Sequence, residues 1–99
     1  MSAFASAAHV LALLGKRERA VRALGANWAQ AIKLGYTIEP EGEEIWLQRS
    51  GVARIRDSMP TPMWDALIQA GKRASIEDAF ADAFAPVSDY DGDDPLRAG

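Results

Sequence analysis

The chain has no cysteine and a single histidine, His9, among its 99 residues. Disulfides and thiolate metal sites are therefore excluded, and the usual zinc, iron–sulfur and haem centres and the common nucleophilic triads lack their parts. Long apolar runs are missing as well. The longest, residues 3–14, is broken by Ser6 and His9 and falls short of the roughly 20 residues needed to cross a bilayer. Lys16, Arg17 and Arg19 follow this stretch instead of preceding it, which is the wrong order for a secretory signal. Residues 1–38 hold five basic side chains and one acidic one. That composition fits an organellar transit peptide, but the same residues carry the helical pattern of a folded segment. There is no glycine-rich phosphate cradle and no carboxylate pair in an apolar setting that would raise a pKa for acid catalysis. These absences predict a protein without metal, cofactor or enzymatic activity. The lack of cysteine agrees with a reducing, cytoplasmic setting.

What is present is a core's worth of apolar residues, 48% of the chain, enough for one small domain over residues 1–85. The net charge of −3 hides a gradient. Residues 1–38 carry +4, residues 39–73 carry −1 and residues 74–99 carry −6. An acidic protein is repelled by phosphate at long range, so any contact with nucleic acid would have to use the basic N-terminal third. Residues 86–99 are poor in apolar side chains and rich in Asp, Gly and Pro, which reads as a disordered acidic tail. Within it, Asp89, Asp91 and Asp93 alternate as in a calcium loop, but Asp94 stands where that loop needs glycine.

Phe4, Ala7, Ala8, Leu11 and Leu14 recur at helical spacing and Gly15 follows them, predicting a helix over residues 3–14. A second helical piece runs from Arg17 to Leu24 with a basic outer face and ends at Gly25. A third, opened by Asn27 and Gln30 as a reciprocal cap, packs Trp28, Ala31 and Ile32 and ends at Gly35. Alternatively Gly25 lies inside one longer helix, at about 1 kcal/mol relative to Ala. From Tyr36 the period changes to two. Tyr36 and Ile38 alternate with Thr37 and Glu39, Pro40-Glu41-Gly42 reads as a turn, and Ile45 and Leu47 alternate with Trp46, which together predict a two-stranded antiparallel hairpin with an acidic tip. Residues 50–58 read as a connection. Thr61 then caps a helix beginning at Pro62, with Met63, Leu67 and Ala70 inward and Gly71 at its end. Ser75 and Asp78 open a last helix whose inner stripe is Ile76, Ala79, Phe80, Ala83 and Phe84, and Pro86 ends it. The fold class expected is thus α+β, with helices packed around a two-stranded hairpin, then two more helices and the tail.

Three helices followed by a hairpin, from Ile32 through Gly35-Tyr36-Thr37-Ile38 to Ile45-Trp46-Leu47, resemble a winged helix-turn-helix, as in the repressor domain of biotin ligases. The resemblance implies a DNA partner, a third helix in the major groove and a hairpin against the flanking backbone. Its turn glycine is either Gly25 or Gly15. With the first, Arg17 to Gly25 resembles the positioning helix and Gln30 and Lys33 are the polar readers; with the second, the recognition helix begins at Arg17-Glu18-Arg19. The segment Met59-Pro60-Thr61-Pro62-Met63-Trp64 is similar to the closing part of small phage Cro-like regulators. From Leu34-Gly35-Tyr36 to Thr61-Pro62 the chain also resembles small helix-hairpin-helix docking domains, in which a hairpin edge or its outward aromatics hold a partner's helix or tail.

With no chemistry in evidence and an acidic balance, the leading expectation is a small binding protein acting by protein contact, an adaptor or an inhibitor of the kind phages and mobile elements encode. Glu39, Glu41, Glu43, Glu44 and Trp46 form the expected contact patch, suited to a partner with a basic, nucleic-acid-binding surface. Trp46 sits opposite Ile45 and Leu47 on a strand, either as an exposed anchor or under a covering helix. Trp28 and Trp64 belong to the core, and His9 is a satisfied or surface helix residue. The alternative is a DNA-binding regulator acting through Arg17, Arg19, Arg22, Gln30 and Lys33. An exposed apolar hairpin edge would also favour a homodimer.

Overall fold

In the computed structural model, which describes residues 3–36 and 39–86, Phe4, Ala7, Ala8 and Leu11 share the buried side of the first helix, α1 (Ala3–Leu13). The next, α2 (Arg17–Lys33), is the central element. It buries Ala20, Val21, Leu24 and Ala26 and is packed on by α1, α5 (Thr61–Arg73) and α6 (Ile76–Phe84). Between them, α3 (Pro40–Ser50) and α4 (Val52–Ser58) form a bent pair. Gly51 joins them with φ of 82°, a left-handed value that a side chain would oppose. Leu47, Val52, Ala53 and Ile55 extend the core under this pair. No described helix is long and apolar enough to cross a membrane.

The described residues contain six helices and no strand, which overturns the expected α+β class and its hairpin. Residues 40–50 are helical for reasons that a strand reading overlooks. Pro40 occupies the first turn, where its missing N–H is harmless and its φ is already helical. Glu41 and Glu43 sit in the first turn and Arg49 in the last, each favourable in the field of the helix dipole. Glu43, Trp46, Leu47 and Ser50 then fall on the inward side at spacings of three and four. Gly42, read as a turn residue, is a helical residue with open space around it. Of the first expected strand, Thr37 and Ile38 lie outside the described residues, as do residues 87–99 with the expected disordered tail and the Asp89–Asp94 loop.

Other boundaries shift for one shared reason, a close helix crossing. The two helices expected on either side of Gly25 are one, α2, and Gly71 lies inside α5 instead of ending it. A Cβ on Gly25 would run into the carbonyl of Ile68, with the carbonyl carbon at 3.1 Å. One on Gly71 would run into that of Arg22, with the carbon at 2.9 Å. The two glycines let the backbones of α2 and α5 touch, which is why glycine appears mid-helix at both places. The inner face of α5 is correspondingly Trp64, Ile68 and Gly71, with Met63 exposed, one residue away from the stripe expected of Met63, Leu67 and Ala70. Residues 52–58, expected as a connection, are α4.

The last helix keeps its expected limits. Ser75 Oγ accepts from the backbone N–H of Asp78 (3.1 Å) and Pro86 follows the end. Its stripe is only half covered. Ala79 and Ala83 are buried, whereas Phe80 and Phe84 stay partly exposed and set their rings at a tilt against Phe4, with centroids 4.8 and 6.5 Å away. The C-terminal end of α6 is held by Arg19, a buried side chain that donates to the carbonyls of Asp82 (2.9 and 3.1 Å) and Ala85 (2.8 Å). Those carbonyls have no partner within the helix, so a buried guanidinium is their cap.

Candidate functional site

The structure separates the five residues of the expected acidic patch. Glu39 and Glu41 are exposed at the start of α3. Glu44, one turn on, is held by Arg56 of α4 through two hydrogen bonds of 2.9 Å and by Gln48 at 3.3 Å. These bonds hold its carboxyl pKa down at about 2. Glu43 turns inward, and burial pushes its carboxyl up against the opposing pull of Lys72. Trp46 is half-buried and packs on the core. Glu43 is thus tied into the fold by burial and Glu44 by its pair with Arg56, while Glu39, Glu41 and Glu44 are exposed.

The residues of the expected nucleic-acid patch are divided too. Arg19 caps α6 as described, and Arg22 forms a forked pair with Asp82, at 2.8 and 3.1 Å. Arg17 is exposed at the first residue of α2, while Gln30 and Lys33 lie at its other end, beside α6. At 1.5 Å per residue, Arg17 and Lys33 are about 24 Å apart along the axis. Trp28 is half-buried, with Lys72 Nζ 5.8 Å from its ring centroid, and Trp64 is buried.

What the geometry does assemble is a cleft between α1 and α3. Gly42, Ile45, Trp46 and Arg49 recur at intervals of three, one and three along α3 and make one wall, and His9 of α1 faces them. The cleft has a volume of about 350 Å³, within the range of ligand and peptide clefts. Ser50 forms its floor. His9 Nδ1 donates to the Ser50 carbonyl (2.8 Å), and Ser50 Oγ donates to the Leu47 carbonyl (3.1 Å) and accepts from Val52 N–H (3.4 Å). These bonds fix α1 against the α3–α4 bend and leave no polar demand at the floor. Ile45 is 54% exposed, and Val10 and Leu13 of α1 and Leu14 just after it are exposed too, Leu13 at 72%.

A second depression, which shares Ser50 with the first, lies along α4. This second part, about 480 Å³, is lined by Ala12 and Leu13 of α1, Arg17 of α2, and Arg54 and Ile55 of α4. From the sequence, Arg54 reads as part of the connection and Ile45 as a strand residue, and Arg49 beside an exposed Trp46 has the composition of an interface hot spot, but none of the three is placed in a cleft. The signal that would have found them is the spacing of Gly42, Ile45, Trp46 and Arg49, a helical stripe hidden by the run Ile45-Trp46-Leu47, which a strand can equally accommodate. The described residues contain no group of three His, Asp or Glu side chains arranged to hold a metal ion. No family model, no curated protein and no solved structure matches this chain.

Proposed function

We propose that this chain is a non-enzymatic binding protein that acts by protein contact, as an adaptor or inhibitor, and that the cleft between α1 and α3 is its contact site. The observation that carries the reading is the stripe of Gly42, Ile45, Trp46 and Arg49 facing His9 across an open cleft. It has apolar side chains at its lip and a half-buried tryptophan anchored in the core. A large rigid aromatic with an arginine beside it and water-excluding aliphatics around it is the composition of an interface hot spot. Of the expected patch only Trp46 lines the cleft; Glu39, Glu41 and Glu44 are exposed outside its lining. The alternative of a DNA-binding regulator loses Arg19 and Arg22 to internal acceptors, so two of its three arginines are engaged in holding α6.

The test is affinity capture with the wild-type chain and Ile45→Asp, paired with anisotropy of a labelled mixed-sequence duplex. Ile45 is exposed, so the variant should melt with the wild type while losing at least tenfold in capture of any saturable protein partner. Capture that is indifferent to Ile45→Asp overturns the reading. So does duplex binding at physiological salt whose log affinity falls with log salt by about 0.9 per contact.

A further inference from the structure

Resting on that reading, the charge of the groove identifies the kind of segment it takes. We infer that the groove made by the two depressions on either side of Ser50 receives an acidic amphipathic peptide segment of a partner protein, its apolar side chains lying on their walls and its carboxylates meeting Arg17, Arg49 and Arg54.

Six of the seven described arginines fall into two sets, and the seventh, Arg73, is exposed on α5 away from the groove. Arg19, Arg22 and Arg56 are engaged with internal acceptors, two carbonyls for the first and a carboxylate for each of the others. Arg17, Arg49 and Arg54 are exposed, have no ion pair among the described residues, and all line the groove. No carboxylate lines either of its two parts. In a chain of net charge −3, three unpaired guanidiniums on these two apolar depressions give a local positive field within an acidic surface. A planar fork on each is suited to bidentate carboxylate recognition.

The walls decide between the two polyanions that such a field could attract. Leu13, Ile45, Trp46 and Ile55 supply apolar surface inside the groove; the arginines could pair with phosphates or carboxylates alike, but a sugar–phosphate backbone has no apolar side chains to set against these walls. A peptide that alternates large apolar residues with Asp or Glu satisfies both walls and charges at once, in the helix-in-groove or extended mode. Gly42 contributes by omission. A side chain there would meet open space on the groove wall, and its absence leaves the α3 backbone approachable.

The experiment is selection of a random dodecapeptide display library on the folded full chain, followed by anisotropy of the labelled consensus peptide. The expected consensus places Asp or Glu among Leu, Ile, Phe or Trp. Its affinity should fall at least tenfold in Arg54→Glu and in Arg49→Glu and weaken with salt, while Arg73→Glu, exposed on α5, leaves it unchanged. All three substituted side chains are exposed, and matched circular dichroism melts check that the variants fold. Selected peptides without carboxylates, binding that ignores Arg49→Glu and Arg54→Glu, or no selection at all overturns the inference. So does displacement of the peptide by a short duplex at physiological salt with the same arginine dependence. Peptides sensitive to Ile45→Asp but not to the arginine reversals would leave the protein-contact cleft standing and refute its acidic partner. Peptides sensitive to neither would refute both.

Discussion

Replacing Gly25 by alanine sets two opposing effects against each other. In a helix interior the change should stabilise by about 1 kcal/mol, because glycine loses more backbone freedom on folding. At the crossing of α2 and α5 the new methyl would meet the backbone carbonyl of Ile68, which cannot swing aside as a side chain would. The helices must part by on the order of 1 Å along the interface where Gly25 meets Ile68 and Gly71 meets Arg22 and Ala26, and overpacking of this kind costs roughly 1–3 kcal/mol, with backbone obstacles at the upper end. The net expectation is a loss of about 2 kcal/mol, or a fall in Tm of about 8–16 °C for a domain of this size. Gly71→Ala, which meets the Arg22 carbonyl, should behave alike. The double variant should lose less than the two losses together, since one separation of the helices relieves both clashes. Gly42→Ala is the control. It adds a methyl to open space in α3 and should raise Tm by about 4–8 °C. Thermal melts followed by circular dichroism read all four. A Gly25→Ala variant melting at or above the wild type would refute the close crossing.

Arg19→Met keeps the aliphatic stem but strands the carbonyls of Asp82 and Ala85, and should cost about 1–3 kcal/mol in denaturant unfolding; hydrogen exchange in α6 should accelerate before that in α2. Ser75→Ala removes the side-chain acceptor for the Asp78 N–H and should cost about 1 kcal/mol, with Ser75→Asp restoring it. Glu44 should titrate at about 2 by carboxyl NMR, held down by hydrogen bonds from Arg56 and Gln48. Since its folded pKa is depressed, its contribution to stability is present above the ordinary carboxylate range and declines as pH falls from there towards 2; Arg56→Gln should return the midpoint towards the ordinary value. Burial moves the Glu43 midpoint the opposite way. Its contribution reverses in sign, and Glu43→Gln should therefore relieve a cost present at neutral pH.

The helix ends that could be read in the sequence are those specified by chemistry within one turn. Ser75 with Asp78, Pro86 beyond α6, and Gly15 after α1 are local devices, and they act in the fold as their residue types require. The identity of much of the core was legible for the same reason, since Phe4, Ala8, Leu11, Val21 and Leu24 repeat at helical spacing without interruption. The groove was not legible. Its walls come from α1, α2, α3 and α4, and Arg17, Arg49 and Arg54 line its two depressions only because the bend at Gly51 turns α4 along α1.

Composition and local patterning by themselves determined that this chain builds a core without cysteine, where α1 and α6 lie, and that its surface charge is graded from basic to acidic. Tertiary structure decided the rest at two points where local signals conflict. Ile45-Trp46-Leu47 satisfies a period of two and a period of 3.6 alike, and the helix prevails because it carries Leu47 and Ser50 into the core while Pro40 and the first-turn glutamates favour its start. Gly25 and Gly71 look like helix ends, since glycine inside an isolated helix is unfavourable by about 1 kcal/mol. Only the presence of a second backbone, pressed against each, converts that penalty into the condition for the two longest helices to pack.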